Sequence, residues 1–239
     1  MKLVSLDIET LSSKTRALVL EASAISVEVE HYKDVDYKAL WAALNPSREK
    51  TNTGWPNFLK GKITRVFPFY QQLKLGREVD SQTLKFHTKT PEQQEALHYM
   101  MTESMDDGCA SVEDCLDSIR LFCVQADQIW INGLSFDPSI LRSLNEQVGK
   151  GSEDPLWDFR AERDVRSFWR TFQLDPDVSD IPAHFSISDC VRNFATVQDL
   201  GLKMSLTGLP RTEDKEYGGI ELRTYYPKFP ATGKSGGPV

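Results

Sequence analysis

The sequence predicts an α/β domain built around a mixed sheet, and three observations support this fold class. Strand-like patterns come first, followed by helical patterns that alternate with further strands. Of the 239 residues, 40% are hydrophobic and 26% are charged, which suits a single core with an ordinary polar surface. No apolar run approaches the ~20 residues that a membrane span needs. Acidic residues also precede any long apolar stretch, so we expect no secretory signal and a cytoplasmic protein.

The first third of the chain supplies the expected sheet. Residues 3–9 alternate apolar and polar side chains, which indicates a strand. A second apolar run covers 17–29, and 37–45 is interpreted as a third strand. From about 46 to 80, Asn, Pro, Gly, Lys and aromatic residues mix without a period, which predicts an irregular insertion.

The rest of the chain is mainly helical in pattern. Helices are expected over 91–104, 111–125, from Asp137 onward, over 164–172 and over 186–200, with a short buried strand at 128–132. Ser111 and Asp114 resemble a capping box, and Asp137-Pro138 is typical of an N-cap followed by a first helical residue. We therefore expect one domain over 1–208 and a C-terminal extension over 209–239 whose last ten residues are disordered.

Charge and cysteine content exclude two classes of protein. The chain has 35 acidic against 28 basic residues, a net charge of −7, which disfavours non-specific coating of nucleic acid because such binding depends on Lys and Arg. An enzyme acting on nucleic acid stays possible, since bound divalent cations make an acidic site locally positive. The four cysteines form no CxxC pair, so we expect buried or idle thiols and no disulfide scaffold.

Asp7 and Glu9 are the first candidate site residues. Residues two apart on a strand point to the same face, so the two carboxylates lie side by side. The alternative is a solvated edge strand. The apolar opposite face, Val4, Leu6 and Ile8, favours a strand inside the sheet, where adjacent like charges are unfavourable unless a positive ion lies between them.

Three further candidates come later in the chain. Asp137 follows a buried strand and begins a helix, so it is either a helix cap or a ligand at the end of a strand. His184 precedes Asp189 by five residues, a gap that allows both to reach one cavity. An isolated histidine is more often structural. We interpret the other three histidines as structural because no zinc-binding spacing surrounds them: His31, His87 and His98.

The order of these motifs, D-x-E, then Asp at a strand-to-helix turn, then H-x4-D, resembles the DEDDh 3′–5′ exonuclease superfamily. Three segments are similar to phage DexA-like exonucleases and related bacterial exoribonucleases: 76–97, 132–141 and 155–168. The resemblance covers roughly residues 3–200. One departure is Leu11-Ser12-Ser13, where the family often has Gly, so the loop that contacts the terminal nucleotide is expected to differ in shape.

The resemblance implies an RNase H-like fold with a site for two Mg²⁺ or Mn²⁺ ions. Asp7 would bridge both ions, Glu9 and Asp189 would complete the site on the side of the nucleophile, and Asp137 would hold the second ion through water. His184 would take the proton from the attacking water, a role suited to its reference pKa near 6.5. Two ions about 4 Å apart serve phosphodiester hydrolysis, and these metals prefer oxygen ligands.

Substrate contacts are expected from two regions. From the resemblance, Thr10 and Leu11 would contact the terminal nucleotide. Four arginines would line one side of a helix if their segment is helical: Arg160, Arg163, Arg166 and Arg170. Of these, we expect Arg163 and Arg166 to contact phosphates of the substrate. The alternative for these arginines is a solvated face with salt bridges to neighbouring acids.

The expected function is a 3′–5′ exonuclease that acts on single-stranded ends and releases nucleoside 5′-monophosphates, with DNA favoured over RNA. The partner is therefore the 3′ end of single-stranded DNA or RNA, with no membrane. An exoribonuclease with the same residues is the first alternative, because discrimination depends on contacts to the 2′-OH. A catalytically inactive acidic protein-binding module on the same fold is the second.

Overall fold

The computed structural model describes residues 1–44, 55–106, 108, 110–150 and 154–207. The expectations for 45–54, for Cys109 and for the extension from 208 onward lie outside these residues. Two compact units are distinguished, Met1–Lys203 and Met204–Val239, and the strands of the described residues all lie in the first. In the part of the chain that is described, no helix is long and apolar enough to cross a membrane. Cys115, Cys123 and Cys190 are buried, as expected.

A five-stranded mixed sheet forms the centre of the first unit. In chain order the strands are β1 (Lys2–Thr10), β2 (Val19–Glu28), β3 (Leu59–Val66), β4 (Gln128–Ile131) and β5 (Glu162–Asp164). Their order across the sheet is β3-β2-β1-β4-β5. β2 is antiparallel to both β1 and β3, whereas β4 is parallel to both β1 and β5. β1 is therefore the central strand, which excludes the edge-strand interpretation of its two carboxylates.

Helices cover both faces of this sheet. In chain order they are α1 (Tyr37–Leu44), α2 (Phe69–Lys74), α3 (Ser81–His87), α4 (Pro91–Met105), α5 (Val112–Cys123), α6 (Asp137–Gln147), α7 (Val165–Phe172) and α8 (Ser186–Thr207). Val4, Leu6 and Ile8 of β1 pack into the main apolar cluster with α5 and α6. On the opposite face α8 is joined to β2, where Cys190 Sγ donates to the Ser23 carbonyl at 3.2 Å.

The helices expected over 91–104, 111–125, from Asp137 onward, over 164–172 and over 186–200 are confirmed as α4, α5, α6, α7 and α8. Thr90 and Gln93 form a capping box at α4, which has Pro91 at its first position. The Ser111 side chain accepts from the Asp114 N–H at the start of α5. These capping signals involve residues only three positions apart, so they can be recognised from the sequence without knowledge of tertiary contacts.

The third strand predicted over 37–45 is wrong, because Tyr37–Leu44 form the helix α1. Its buried residues Tyr37, Leu40, Trp41 and Leu44 recur at spacings of three, one and three, which is the period of a helix face. The 46–80 segment is also more regular than predicted, since it contains β3 and α2. β3 is an edge strand with alternating exposed Lys and Thr, and it therefore lacks the apolar run that identifies a central strand.

Candidate active site

Three carboxylates from two elements converge at one end of β1. Asp7 and Glu9 leave the same face of the strand, and Asp189 comes from the first turn of α8. One ligand atom from each of these residues lies within 4.8 Å of the others. Glu9 is only 7% exposed, and Asp7 and Asp189 are partly buried. The strand period and the helix start thus bring distant parts of the sequence together.

Asp137 faces the same cluster from the start of α6. The expected N-cap role is wrong: the N-cap of α6 is Phe136, which makes no side-chain cap bond, and Asp137 is the first helical residue. Its side chain is 4% exposed, and its charge raises the pKa of Asp7. Gly133, at φ 107°, makes the turn that leads there, and its N–H donates to Asp164 Oδ1 at 3.1 Å.

The backbone of His184 is hydrogen-bonded to the side chain of Asp189. Its N–H donates to Asp189 Oδ2 at 2.9 Å, and its φ of 68° is in the left-handed region that non-glycine residues rarely adopt. Such strained residues concentrate at functional sites. Arg192 holds the other side of this arrangement, with Nε 3.5 Å from Asp189 Oδ1 and Nη1 2.9 Å from the Ile181 carbonyl.

The carboxylates strongly disfavour one another's ionisation. Burial, reinforced by neighbouring carboxylates, raises the pKa of Glu9 to about 8 and that of Asp7 well above its ordinary value. Burial also raises the pKa of Asp137, although Arg166 opposes the rise, and brings that of Asp189 to about 6. For His184, burial and then Arg192 lower the pKa. The positive charges of Arg166 and Arg192 therefore offset only part of the cost of burying these carboxylates together.

This donor set fits a hard divalent cation. All four acidic groups offer oxygen, the ligand that Mg²⁺ and Mn²⁺ prefer. A cation between them would relieve the repulsion that raises these pKa values. The observation that supports the fit is the 4.8 Å grouping of ligand atoms from Asp7, Glu9 and Asp189.

An aromatic wall next to this cluster was not predicted from the sequence. The Phe86 ring makes edge contacts with His184 at 4.9 Å and with His87 at 5.5 Å, both between ring centroids. His87 is 5% exposed, and its Nε2 lies 3.0 Å from the Thr10 carbonyl. Phe86 is 45% exposed and lines a cavity beside Glu9, so part of its side chain is accessible to a ligand. The sequence held a signal for this wall, because Phe86 and His87 both fall within 76–97, one of the segments that carry the family resemblance.

Two cavities border this wall. The smaller, about 170 Å³, lies beside Glu9 and is also lined by Thr10, Ser12, Phe86 and Phe136. The larger, about 310 Å³, lies between the 182–185 segment, including His184, and the start of α4. Both cavities adjoin the candidate catalytic groups, so a chain end has space on either side of the wall.

The two residues after the D-x-E motif differ in their access to the smaller cavity. Thr10 lines it, with Oγ1 donating to the Ser12 carbonyl at 2.9 Å. The Leu11 side chain is 1% exposed and packs in an apolar cluster with Leu18 and Leu20. The Leu11 side chain therefore faces the core rather than the cavity.

The four arginines do not share one helix. Only Arg166 and Arg170 are on α7, while Arg160 lies in a short 3-10 helix and Arg163 in β5. Arg163 Nη1 donates to the carbonyls of Arg160 and Glu162, each at 2.8 Å. Arg166 is exposed and lies against Gly133, where a Cβ would be 3.6 Å from its Nη2. Of these four arginines, Arg166 is the one whose positive charge opposes the burial-driven rise in the pKa of Asp137.

Comparison with known proteins identifies the family. Residues 2–189 match the 3′–5′ exoribonuclease Rv2179c-like domain. The chain belongs to this family. Its members are classed as exonucleases, which places the chain among the nuclease hydrolases. The finer resemblance to phage DexA-like exonucleases stays a prediction, and a search of curated proteins found no match.

Solved structures agree on the fold. Escherichia coli exonuclease I, in complex with a dT13 oligonucleotide, superposes with a TM-score of 0.52 at 11% identity over 87% of this chain. Exonuclease I from Methylocaldum szegediense gives a TM-score of 0.50 at 13% identity over 87%. The chain spans 42% and 43% of these two proteins. The expected RNase H-like α/β fold is therefore confirmed.

Proposed function

We propose that this protein is a metal-dependent 3′–5′ exonuclease that removes nucleoside 5′-monophosphates from single-stranded 3′ ends. The observation that supports it most strongly is the convergence of Asp7, Glu9 and Asp189 on ligand atoms within 4.8 Å of one another. Asp137 adds a fourth carboxylate that interacts electrostatically with Asp7. The family match supports the 3′–5′ direction of degradation, and the acidic cluster supports metal-dependent hydrolysis.

The four carboxylates would divide the binding of two Mg²⁺ or Mn²⁺ ions. Asp7 would serve both, Glu9 and Asp189 would complete the site on the nucleophile side, and Asp137 would hold the other. When bound, the two cations supply positive charge to the scissile phosphate and lower the pKa of the attacking water. The buried side chains keep these oxygens oriented before substrate arrives, which reduces the reorganisation that the reaction needs.

His184 would act as the general base that accepts the proton of the attacking water. Its pKa is lowered by burial and by Arg192, so the imidazole is neutral and able to accept a proton near pH 7. The hydrogen bond from its N–H to Asp189 fixes the loop that carries the ring. Contact with Phe86 further limits the ring's orientation.

The single strand would leave the site along α7. Arg166 lies beside Asp137, while Trp169 and Arg170 follow at three and four residues and are therefore its neighbours on the helix surface. All three are exposed, and Trp169 is 51% exposed. Basic groups with an exposed aromatic ring suit phosphates and stacked bases. Arg163, held by backbone carbonyls, would add positive charge nearby.

An exoribonuclease is the second candidate, and the family description favours it. DNA preference was the sequence-based prediction. The hydroxyl groups around the smaller cavity, Ser12 and Thr83 among them, would contact the terminal sugar, where RNA differs from DNA by the 2′-OH. Thr10 would contact the terminal nucleotide in the same cavity, and Leu11 would contribute through its backbone alone.

The direct test uses 5′-labelled single-stranded DNA and RNA of one sequence. The protein is incubated with Mg²⁺, Mn²⁺ or EDTA, and Asp7→Ala is the control. A metal-dependent ladder that shortens from the 3′ end, absent in the control, is the expected result, and the faster polymer identifies the substrate class. No ladder on either polymer from folded, metal-supplied protein would favour the binding-module alternative.

A further inference from the structure

Glu21 is a buried carboxylate that the proposed reaction does not use. It lies on β2 directly opposite Glu9 in the antiparallel register, and it is 8% exposed. Burial raises its pKa, and no lysine or arginine among the described residues counters this effect. A buried carboxylate without a cationic partner is costly, so its hydrogen bonds deserve a functional explanation.

The hydrogen-bond partner of Glu21 is Ser186, the first residue of α8. Ser186 Oγ donates to Glu21 Oε1 and also lies 2.7 Å from Ser23 Oγ, which is 2.8 Å from Thr64 Oγ1. Ser186 Oγ has one proton and reaches two acceptors, Glu21 Oε1 and Ser23 Oγ. In the Ser23–Thr64 pair either hydroxyl could be the donor. The carboxylate thus lies at one end of a row of hydroxyls that crosses β3, β2 and the start of α8.

This row is hydrogen-bonded to the first turn of α8, which carries the candidate metal ligand Asp189. Ser186 and Asp189 are three residues apart and are therefore neighbours on one side of α8. The Cys190 Sγ donates to the Ser23 carbonyl and attaches the same turn to β2 a second time. With both attachments made, rotation of this turn is restricted, and Asp189 is held toward Asp7.

We infer that Glu21 is a positioning residue, which holds the first turn of α8 through Ser186 so that Asp189 reaches the cation site. This inference rests on the proposed function, because Asp189 needs the position only if a cation binds there. Hydrogen-bond partners of a metal ligand commonly change metal affinity by about 10- to 100-fold when they are removed. Glu21 lies one step further out, because it bonds Ser186 and not Asp189, so we expect the lower end of that range. Glu21 would act through its hydrogen bond. A Glu21→Gln variant separates this bond from the charge, which adds to the rise in pKa that burial causes in Asp7 and Glu9.

The test is Mn²⁺ binding measured by isothermal titration calorimetry without nucleic acid. Glu21→Ala and Ser186→Ala each remove the bond, whereas Glu21→Gln keeps an oxygen acceptor and removes the charge. Glu28→Ala is the matched control, because Glu28 is on the same strand but exposed, 3.4 Å from Lys60. We expect about tenfold weaker binding in both alanine variants and a change below about twofold in Glu21→Gln and Glu28→Ala.

A double variant tests whether the two residues act through one bond. Glu21→Ala with Ser186→Ala is expected to bind Mn²⁺ no more weakly than the worse single variant. Wild-type binding by folded Ser186→Ala would overturn the inference, and so would a Glu21→Gln variant as weak as Glu21→Ala. If Glu21→Ala does not fold, Ser186→Ala decides the matter alone.

The proposed function has a separate control in the same titration. Wild-type protein should bind Mn²⁺, and Asp7→Asn should lose that binding. Wild-type protein that binds no Mn²⁺ would overturn the proposed function and this inference with it. Normal wild-type binding together with normal binding by the two alanine variants would overturn the positioning role alone.

Discussion

The two faces of β1 serve opposite purposes although they share one backbone. One face carries Val4, Leu6 and Ile8, which are at most 5% exposed and join the main apolar cluster. The other carries Asp7 and Glu9, whose pKa values burial and mutual repulsion raise. Burial of apolar area stabilises the fold, whereas burial of neighbouring carboxylates opposes it. A strand can therefore hold a destabilising site because its other face is firmly packed.

The sharpest test of this contrast is Asp7→Asn. We expect exonuclease activity to fall on the order of 10³-fold, because the residue would serve both cations. In EDTA the same variant should melt at an equal or higher temperature, since one like charge is removed from the cluster. Single-turnover assays and thermal melting check the two parts. A variant that keeps activity, or that melts well below wild type without metal, contradicts the assignment.

Leu6→Ala changes the adjacent residue on the other face. We expect a loss of about 2–5 kcal/mol in the free energy of unfolding, because the side chain is fully buried and a cavity remains. Activity per folded molecule should stay within about threefold of wild type at low temperature. Urea unfolding and active-site titration measure both quantities. A large activity loss at unchanged stability would show that the two faces are not separable.

His184→Ala should lower kcat by about 10²-fold while Mn²⁺ affinity changes little, because the ring would transfer a proton rather than bind metal. In wild type we expect activity to rise with pH through a value below 6.5, since burial and Arg192 lower the pKa of His184. This rise should disappear in the variant. His98→Ala, an exposed histidine on α4, is the control. A flat wild-type profile together with an unimpaired His184→Ala protein would rule out the base.

The carboxylate face of β1 should also make the stability of the metal-free protein depend on pH, whereas the apolar face should not. The pKa of Glu9 is about 8 and that of Asp189 about 6 in the folded state, above the values near 4 of unfolded chains. The folded state thus holds extra protons, and the free energy of unfolding falls as pH rises from about 4 to 8. In EDTA we expect Tm to drop by about 3–8 °C between pH 5.5 and 8.

Metal should reverse that loss at pH 8, because binding stabilises the folded state by mass action. Asp7→Asn serves as the control, and its Tm should depend less on both pH and metal. Differential scanning calorimetry measures each case. A metal-free protein that is more stable at pH 8 than at pH 5.5 would contradict the raised pKa values.

The smallest expected effect is that of Arg166→Ala. We expect KM for a single-stranded oligonucleotide to rise a few-fold, most clearly at low salt, with kcat nearly unchanged. The reason is that an exposed arginine would contact phosphate without touching the reacting atoms. Arg65→Ala, on the edge strand β3, is the matched control. A large fall in kcat with an unchanged KM would instead give Arg166 a role at the reacting phosphate.

Local signals in the sequence predicted much of this molecule. The alternation in β1, the caps of α4 and α5, and the order D-x-E, Asp, H-x4-D are short-range or linear patterns. The errors have equally local causes. The 37–45 segment is a short apolar run, and apolar content in so short a run does not distinguish a strand from a helix. β3 was missed because it is an edge strand with polar residues.

The sequence by itself determined the α/β class, the candidate carboxylates and the candidate histidine, because strand period and motif order need no partner to be recognised. Only the tertiary structure decided which distant groups share a space. It brought Phe86 and His87 beside the acidic cluster, turned the Leu11 side chain into the core, and joined Glu21 to Ser186. Such contacts depend on how the elements pack against one another, and this packing cannot be read from the separation of two residues along the chain.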